Sequence, residues 1–230
     1  MEGTSLRRSA IILGRVLGFI EIADLVAGSQ VFFPDLVRQL AERYSFQKFP
    51  QTIDEFDVKK GVEFLQGKSG GNPIQKFVVW DTLLVLETRL GTSVSKAILE
   101  EILLWSAENL GLNYEAGSIK RFGYISDITF YSDAPLLSLC PAVSNLAVRS
   151  SAALSQIWEE PVNYESLIVK VGHDPIARKY GIAPFLIEHR AETKFSENKY
   201  FSEAPLPTDM HFEILEQFEK DVLLSGMPHR

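Results

Sequence analysis

A stretch of seven residues that occurs twice constrains the fold of this chain most directly, because each copy marks the end of a strand. Residues 130–136 read Phe-Tyr-Ser-Asp-Ala-Pro-Leu, and residues 200–206 read Tyr-Phe-Ser-Glu-Ala-Pro-Leu. An apolar run precedes the first copy and a short aromatic strand carries the second. The proline keeps the connection extended, because the residue before a proline avoids the helical region. Each copy of this repeated heptapeptide therefore predicts a strand that leads into a helix, and Phe32-Phe33-Pro34 is a looser third instance.

The order of the predicted elements is the second constraint. Alternating and β-branched runs predict strands, apolar residues at helical spacing predict helices, and Pro and Gly mark the ends of both. The elements follow one another as β-α-βββ-α over residues 1–115 and again as β-α-βββ-α over residues 116–230. We therefore expect an α+β fold of two similar halves in one compact unit, with antiparallel sheets and helices on one face. The two heptapeptides occupy different positions in this order. They are therefore better explained as one local strand-to-helix connection used twice than as matching positions of a duplication.

Two helices of the second half carry specific expectations. A helix opening at Pro141 has an apolar face that we expect to be buried against the sheet. The residues of that face are Val143, Leu146, Ala147, Leu154, Ile157 and Trp158. Cys140, just before this helix, is the single cysteine and is expected to be a buried small hydrophobe, with no disulfide possible. The last helix is expected to begin near Thr208 and to end at Gly226.

Composition excludes several classes of function. The chain has 30 acidic residues against 23 Lys and Arg, a net charge of −7, which disfavours nonspecific binding of nucleic acid. With 46% hydrophobic and 23% charged residues it is typical of a globular protein, not of a disordered one. The apolar run at residues 11–20 is interrupted by Arg15 and is well short of the ~20 residues that a membrane helix needs. We therefore expect a buried strand there, in a cytoplasmic protein without a membrane anchor.

Four residues near the end of the chain form the basis of one catalytic alternative. Asp174 precedes a predicted strand that carries Glu188, and Glu192 and Lys194 follow that strand. An acid followed by Glu-x-Lys is the pattern of metal-dependent nucleases, in which carboxylates hold Mg²⁺ and the lysine polarises the scissile phosphate. The charges also alternate along the strand, so a solvated face with cross-strand charge pairs is the other interpretation.

Aromatic residues in polar surroundings are the candidate binding residues. They are Tyr44, Phe46, Phe49, Tyr200 and Phe201. Aromatic side chains next to lysine or arginine are frequent anchors of protein interfaces. Burial of the same rings in the core is the alternative interpretation.

No sequence motif indicates a metal, a cofactor or a nucleophile. The four histidines lack the short spacing of a zinc site. The glycine-rich residues 67–71 lack the Gly-Lys-Ser/Thr ending of a phosphate loop and lead into a strand instead of a helix. No Gly-x-Ser-x-Gly elbow is present. We therefore predict no metal and no cofactor.

Two segments, together with the element order, resemble a family of uncharacterised bacterial proteins. The segments are residues 121–128, Arg-Phe-Gly-Tyr-Ile-Ser-Asp-Ile, and residues 211–219, His-Phe-Glu-Ile-Leu-Glu-Gln-Phe-Glu. The family carries an Arg-Tyr-Ile-Asn strand near mid-chain and a C-terminal helix with the pattern His…Ile…Phe-Glu. The resemblance implies a shared fold over most of the chain, with no established activity.

The leading functional prediction is a non-catalytic module from a bacterium or a phage that binds a protein partner or associates with itself. It depends on the lack of catalytic motifs and on the abundance of aromatic residues. Two alternatives stay open. One is a metal-dependent nuclease or hydrolase that uses Asp174, Glu188, Glu192 and Lys194. The other is a small-molecule sensor with an aromatic-lined pocket between the two halves.

Overall fold

The computed structural model describes residues 6–27, 32–174, 176 and 181–225 of the chain. Gly226, the expected end of the last helix, and His229 lie outside these ranges. Within them the strands are β1 (Arg7–Phe19), β2 (Val62–Ser69), β3 (Asn72–Val79), β4 (Leu83–Thr88), β5 (Arg121–Tyr131), β6 (Ile168–Val171), β7 (Phe185–His189) and β8 (Lys199–Ala204). The α-helices are α1 (Ile22–Val26), α2 (Phe33–Arg43), α3 (Thr92–Leu110), α4 (Pro141–Trp158) and α5 (Thr208–Ser225).

The eight strands form one antiparallel sheet in the order β2-β3-β4-β1-β5-β8-β7-β6, so the predicted α+β fold is confirmed. The element order matches the predicted one, with the five-residue helix α1 added before α2. The meander β2-β3-β4 ends beside β1, and the meander β6-β7-β8 ends beside β5. A duplication would produce this repetition, and the two similar halves stay a prediction.

The chain divides into two compact units. Of the described residues, the first unit contains those within 11–126 and 206–208, and the second contains those within 6–10, 127–205 and 209–225. Strands β1 and β5 each contribute residues to both units. None of the helices in the described ranges combines the length and the apolar composition needed to cross a bilayer.

The core of the first unit lies between its sheet strands and the helices α2 and α3. Leu36 and Leu40 recur four residues apart on α2, which directs both side chains to the same side, and both are buried. They belong to one cluster with Phe64 of β2, Phe77 of β3 and Ile102 of α3. The sequence periodicity of α2 therefore translates directly into burial.

One glycine is required by a close approach of two backbone segments in the same unit. A Cβ atom on Gly14 of β1 would lie 2.4 Å from the carbonyl carbon of Gly91, just before α3. The Ser95 hydroxyl of α3 donates a hydrogen bond of 2.6 Å to the Gly14 carbonyl. The start of α3 can therefore contact β1 only because residue 14 has no side chain.

Both heptapeptides end a strand and precede a helix, as predicted. β5 ends at Tyr131 before α4, and β8 ends at Ala204 before α5. In each copy the first aromatic, the serine and the alanine are buried. These residues are Phe130, Ser132 and Ala134 in the first copy and Tyr200, Ser202 and Ala204 in the second. The equivalent rings of Phe130 and Tyr200 contact each other, with centroids 5.6 Å apart, because β5 and β8 are neighbours in the sheet.

Candidate protein-interaction surface

Most of the aromatic residues predicted to bind a partner belong to the core. Tyr44, Phe46 and Tyr200 are only 1–5% exposed, so they cannot contact a partner on the surface, and this prediction is corrected for them. The Phe46 ring packs on Phe64, with centroids 5.2 Å apart. Phe49 and Phe201 are half-buried. Phe201 lies beside the Arg190 guanidinium, 6.0 Å from ring centroid to carbon.

A polar cluster surrounds the Tyr44 hydroxyl. It donates to a carboxylate oxygen of Glu101 at 3.0 Å, and the Ser69 hydroxyl donates to the other oxygen at 2.8 Å. Burial, followed by the Glu101 negative charge, raises the pKa of Tyr44 well above the usual tyrosine value. The hydroxyl therefore stays neutral and acts as a donor that joins α2 to α3.

The four residues of the hydrolase alternative lie on β7 and on exposed segments of the second unit. Glu188 is half-buried on β7, while Asp174, Glu192 and Lys194 are exposed. The Asp174 carboxylate accepts a hydrogen bond from the Ile176 backbone N–H at 2.9 Å. The described residues contain no group of three or more His, Cys, Asp or Glu side chains placed to hold a metal ion. The geometry thus adds no support to a metal-dependent reaction.

A buried serine and histidine that sequence reasoning did not pair lie between β8 and α5. The Ser202 hydroxyl is 2.8 Å from Nε2 of His211, and it donates to the Leu186 carbonyl at 2.6 Å. Because that hydroxyl proton is used, Ser202 accepts a hydrogen bond from Nε2–H of His211. In a nucleophilic Ser–His pair the imidazole accepts instead. Both side chains are 0% exposed, so the pair is a structural link.

The serine of the other heptapeptide makes a second link to the same helix. The Ser132 hydroxyl donates to the Glu219 carboxylate of α5, and the Asp133 backbone N–H donates to the same oxygen at 3.1 Å. Glu219 is 1% exposed. The serines of the two heptapeptides therefore connect α5 to β8 and to the end of β5.

An apolar cavity of about 40 Å³ lies within the first unit. Side chains of α1, α2, α3 and the sheet line it, among them Leu25, Phe33 and Phe77. Ligand pockets typically have volumes of about 300–1,000 Å³. This cavity is too small for such a ligand.

Helix α4 differs from α2 in having no buried residue. The expectation that its apolar face packs on the sheet is therefore wrong. Leu146 is 65% exposed and Ile157 is 72% exposed. Arg149 is the single charged residue among its 18 residues. A helix exposed to water normally carries charged residues on its outer face, so this one has the composition of a covered helix.

The chain that follows α4 covers only a narrow stripe of it. The Ser151 hydroxyl accepts a hydrogen bond from the Tyr164 backbone N–H, and the Ser155 hydroxyl accepts one from the Val162 N–H, both at 2.9 Å. The apolar side chains on either side of this stripe stay exposed. Cys140, the residue before α4, is exposed as well, which corrects the expectation that it is buried.

The edge strand β6 carries a second group of exposed apolar side chains. Leu167, Ile168 and Val171 are 50–60% exposed. We refer to these residues together with those of α4 and Tyr164 as the α4–β6 surface. Its members are Val143, Leu146, Val148, Ile157, Trp158, Tyr164, Leu167, Ile168 and Val171. Their summed exposed area is on the order of 1,000 Å².

Comparison with known proteins gives no information on function, so the functional proposal depends on the α4–β6 surface. No protein-family model matches this chain, and no relative is found among the curated proteins. The sequence signal that points to the surface is the shortage of charge on α4. Periodicity alone identified the apolar face of α4 without identifying what the face contacts.

Proposed function

We propose that this protein is a non-catalytic module that works by associating with protein through the α4–β6 surface. The observation that carries the proposal is helix α4, which has one charged residue and buries no side chain. Large exposed apolar area on a folded protein is typical of protein interaction sites. The fully buried Ser202–His211 pair favours a structural over a catalytic role for the polar groups of the second unit.

The exposed area is comparable to what one partner contributes to a standard interface. A standard interface buries about 800 Å² on each partner. Complete burial of one large apolar side chain stabilises by about 1.5–3 kcal/mol, so nine partly exposed side chains supply roughly 10 kcal/mol. Association itself costs about 4–15 kcal/mol. The gain and the cost are of similar size, so one central side chain should change the affinity measurably.

The cytoplasm is the compartment we propose. Cys140 is the chain's single cysteine and its thiol is exposed. A thiol in that position persists unpaired in a reducing compartment and is at risk of oxidation outside one.

A matched pair of charge substitutions tests the proposed surface. Leu146 on α4 and Leu224 on α5 have almost equal exposure, 65% and 66%. Leu146→Glu should abolish association, because complex formation would bury an unpaired carboxylate, while Leu224→Glu should leave it intact. Association is measured by light scattering for self-assembly, and by calorimetry with each purified protein that a pull-down from lysate captures. Circular dichroism and melting temperature confirm folding.

The outcome that refutes the proposal is equally specific. Equal binding by both variants, in self-assembly and with a purified partner, would show that α4 takes no part in association.

A further inference from the structure

The backbone orientation of β6 shows which of its hydrogen-bonding groups face outward. The Leu167 carbonyl accepts a hydrogen bond from the His189 N–H at 3.0 Å, and Val169 lies opposite Ile187 in the same ladder. Since N–H and C=O of one residue point to the same side of a strand, residues 167, 169 and 171 face β7. The N–H and C=O groups of Ile168 and Lys170 therefore point away from β7.

These outward groups have no strand opposite them in the described part of the chain, because β6 is the last strand in the sheet order. At the other end of the order, β2 is partly covered. Leu65 and Lys48 exchange backbone hydrogen bonds of 2.8 and 3.3 Å there. An uncovered edge beside an apolar surface is a template for pairing with another chain.

We infer that the partner of the α4–β6 surface is a second copy of this chain, joined by antiparallel pairing of β6 with β6 across a twofold axis. This inference rests on the proposed function. A continuous antiparallel pairing requires the axis to be perpendicular to the sheet, so each residue pairs with one of the same orientation. In the dimer, Ile168 must therefore lie opposite Lys170 of the other copy, or one of these residues must lie opposite its own symmetry mate.

Three registers satisfy this condition, and strand length and charge select among them. Centring the pair on Ile168 would leave only one residue of β6 (Ile168–Val171) opposite β6 of the other copy. Centring the pair on Lys170 would place the two lysines directly opposite each other, which is destabilising. Centring it on Val169 places Ile168 of each copy opposite Lys170 of the other. In that register, Ile168 and Lys170 exchange N–H···O=C bonds in both directions, which gives four backbone hydrogen bonds.

The rest of the surface fits the same symmetry. A twofold axis perpendicular to the sheet leaves the α4 helices of both copies on the same side of the joined sheet. Two copies that each carry a net charge of −7 repel, so an interface without acidic side chains is favoured. Arg149 is the single charged residue of α4. A four-residue edge strand forms few hydrogen bonds, and the apolar side chains supply the remaining stabilisation.

Disulfide trapping tests the register. The exposed native cysteine is first removed by Cys140→Ser. In the inferred register Val169 faces its symmetry mate at about 4.5 Å between Cα atoms, within the 4.4–6.8 Å range of a disulfide. Val169→Cys should therefore form a covalent dimer under mild oxidation. In the same register the two cysteines of Lys170→Cys would lie diagonally across the pair, with their Cα atoms beyond the ~7 Å limit for a disulfide. This variant should therefore form no covalent dimer. A covalent dimer from Lys170→Cys alone, or from neither variant, overturns the inferred register.

A proline substitution tests the edge hydrogen bonds. Lys170→Pro removes one outward N–H and leaves the ladder to β7 in place. It should convert a dimer into a monomer, whereas Lys170→Ala, which keeps the N–H, should stay dimeric. A Lys170→Pro variant that remains dimeric overturns the pairing of β6 with β6. If the unmodified chain is monomeric but a different purified protein binds it in a Leu146-dependent manner, the second copy is excluded and the proposed function stands.

Discussion

Replacement of Leu146 by alanine should weaken association without weakening the fold. The side chain is 65% exposed, and complete burial of a leucine stabilises by about 1.5–3 kcal/mol. Truncation at one contact therefore costs roughly 1–1.5 kcal/mol of binding free energy. A twofold dimer contains this contact twice and should lose about 2–3 kcal/mol, a roughly 30- to 150-fold rise in Kd, while for a complex with a different protein the Kd should rise about tenfold.

The assay combines a dilution series with thermal unfolding. Sedimentation velocity over a range of concentrations gives the Kd of the dimer, and calorimetry gives the melting temperature of each variant. Leu224→Ala is the matched exposed control and should change neither quantity. Leu215→Ala, at a fully buried site on α5, should lower stability by about 2–5 kcal/mol.

One result would contradict this reasoning about Leu146. If Leu146→Ala lowered the melting temperature as far as Leu215→Ala and left the Kd unchanged, its side chain would pack within one copy. Helix α4 would then not belong to an interface.

Three further predictions concern residues in the interior of the protein. Gly14→Ala should destabilise the protein strongly in urea titrations, since the new Cβ would lie 2.4 Å from the backbone of Gly91; an unchanged midpoint would contradict that close approach. Ser132→Ala removes a donor from the buried Glu219 carboxylate and should cost about 1–3 kcal/mol by the same measurement. Because the pKa of Tyr44 is raised in the folded state, stability linked to its neutral hydroxyl is present at neutral pH and is lost as the pH rises above about 10, where an unfolded tyrosine ionises. Tyr44→Phe should therefore flatten the alkaline fall in melting temperature, and an identical fall in both proteins would exclude this linkage.

The local patterns of the sequence were sufficient for the order of elements. Proline after a buried aromatic and serine correctly predicted the ends of β5 and β8 in both heptapeptides. The run of alternating and helical periods likewise predicted the α+β class. These are properties of short segments, because strand and helix periods depend on neighbours a few residues away.

Burial of particular side chains depended on distant residues. Tyr44 and Phe46 have polar neighbours in the sequence, yet both are buried, because Phe64 and Trp105 pack on them from other elements. Ser202 and His211 lie nine residues apart and meet only because β8 is followed directly by α5. No spacing rule marks such a pair in advance.

Helices α2 and α4 show most clearly which properties the sequence determines and which the tertiary structure determines. The sequence by itself determined that both are helices with an apolar face, since apolar side chains at three- and four-residue spacing share one side of a helix. Only the tertiary structure decided that Leu36 and Leu40 are buried while Leu146 and Ile157 are exposed. Periodicity belongs to one element, whereas burial requires a second element to cover it. For α2 the sheet of the same unit supplies that cover, and for α4 we propose that a second copy does.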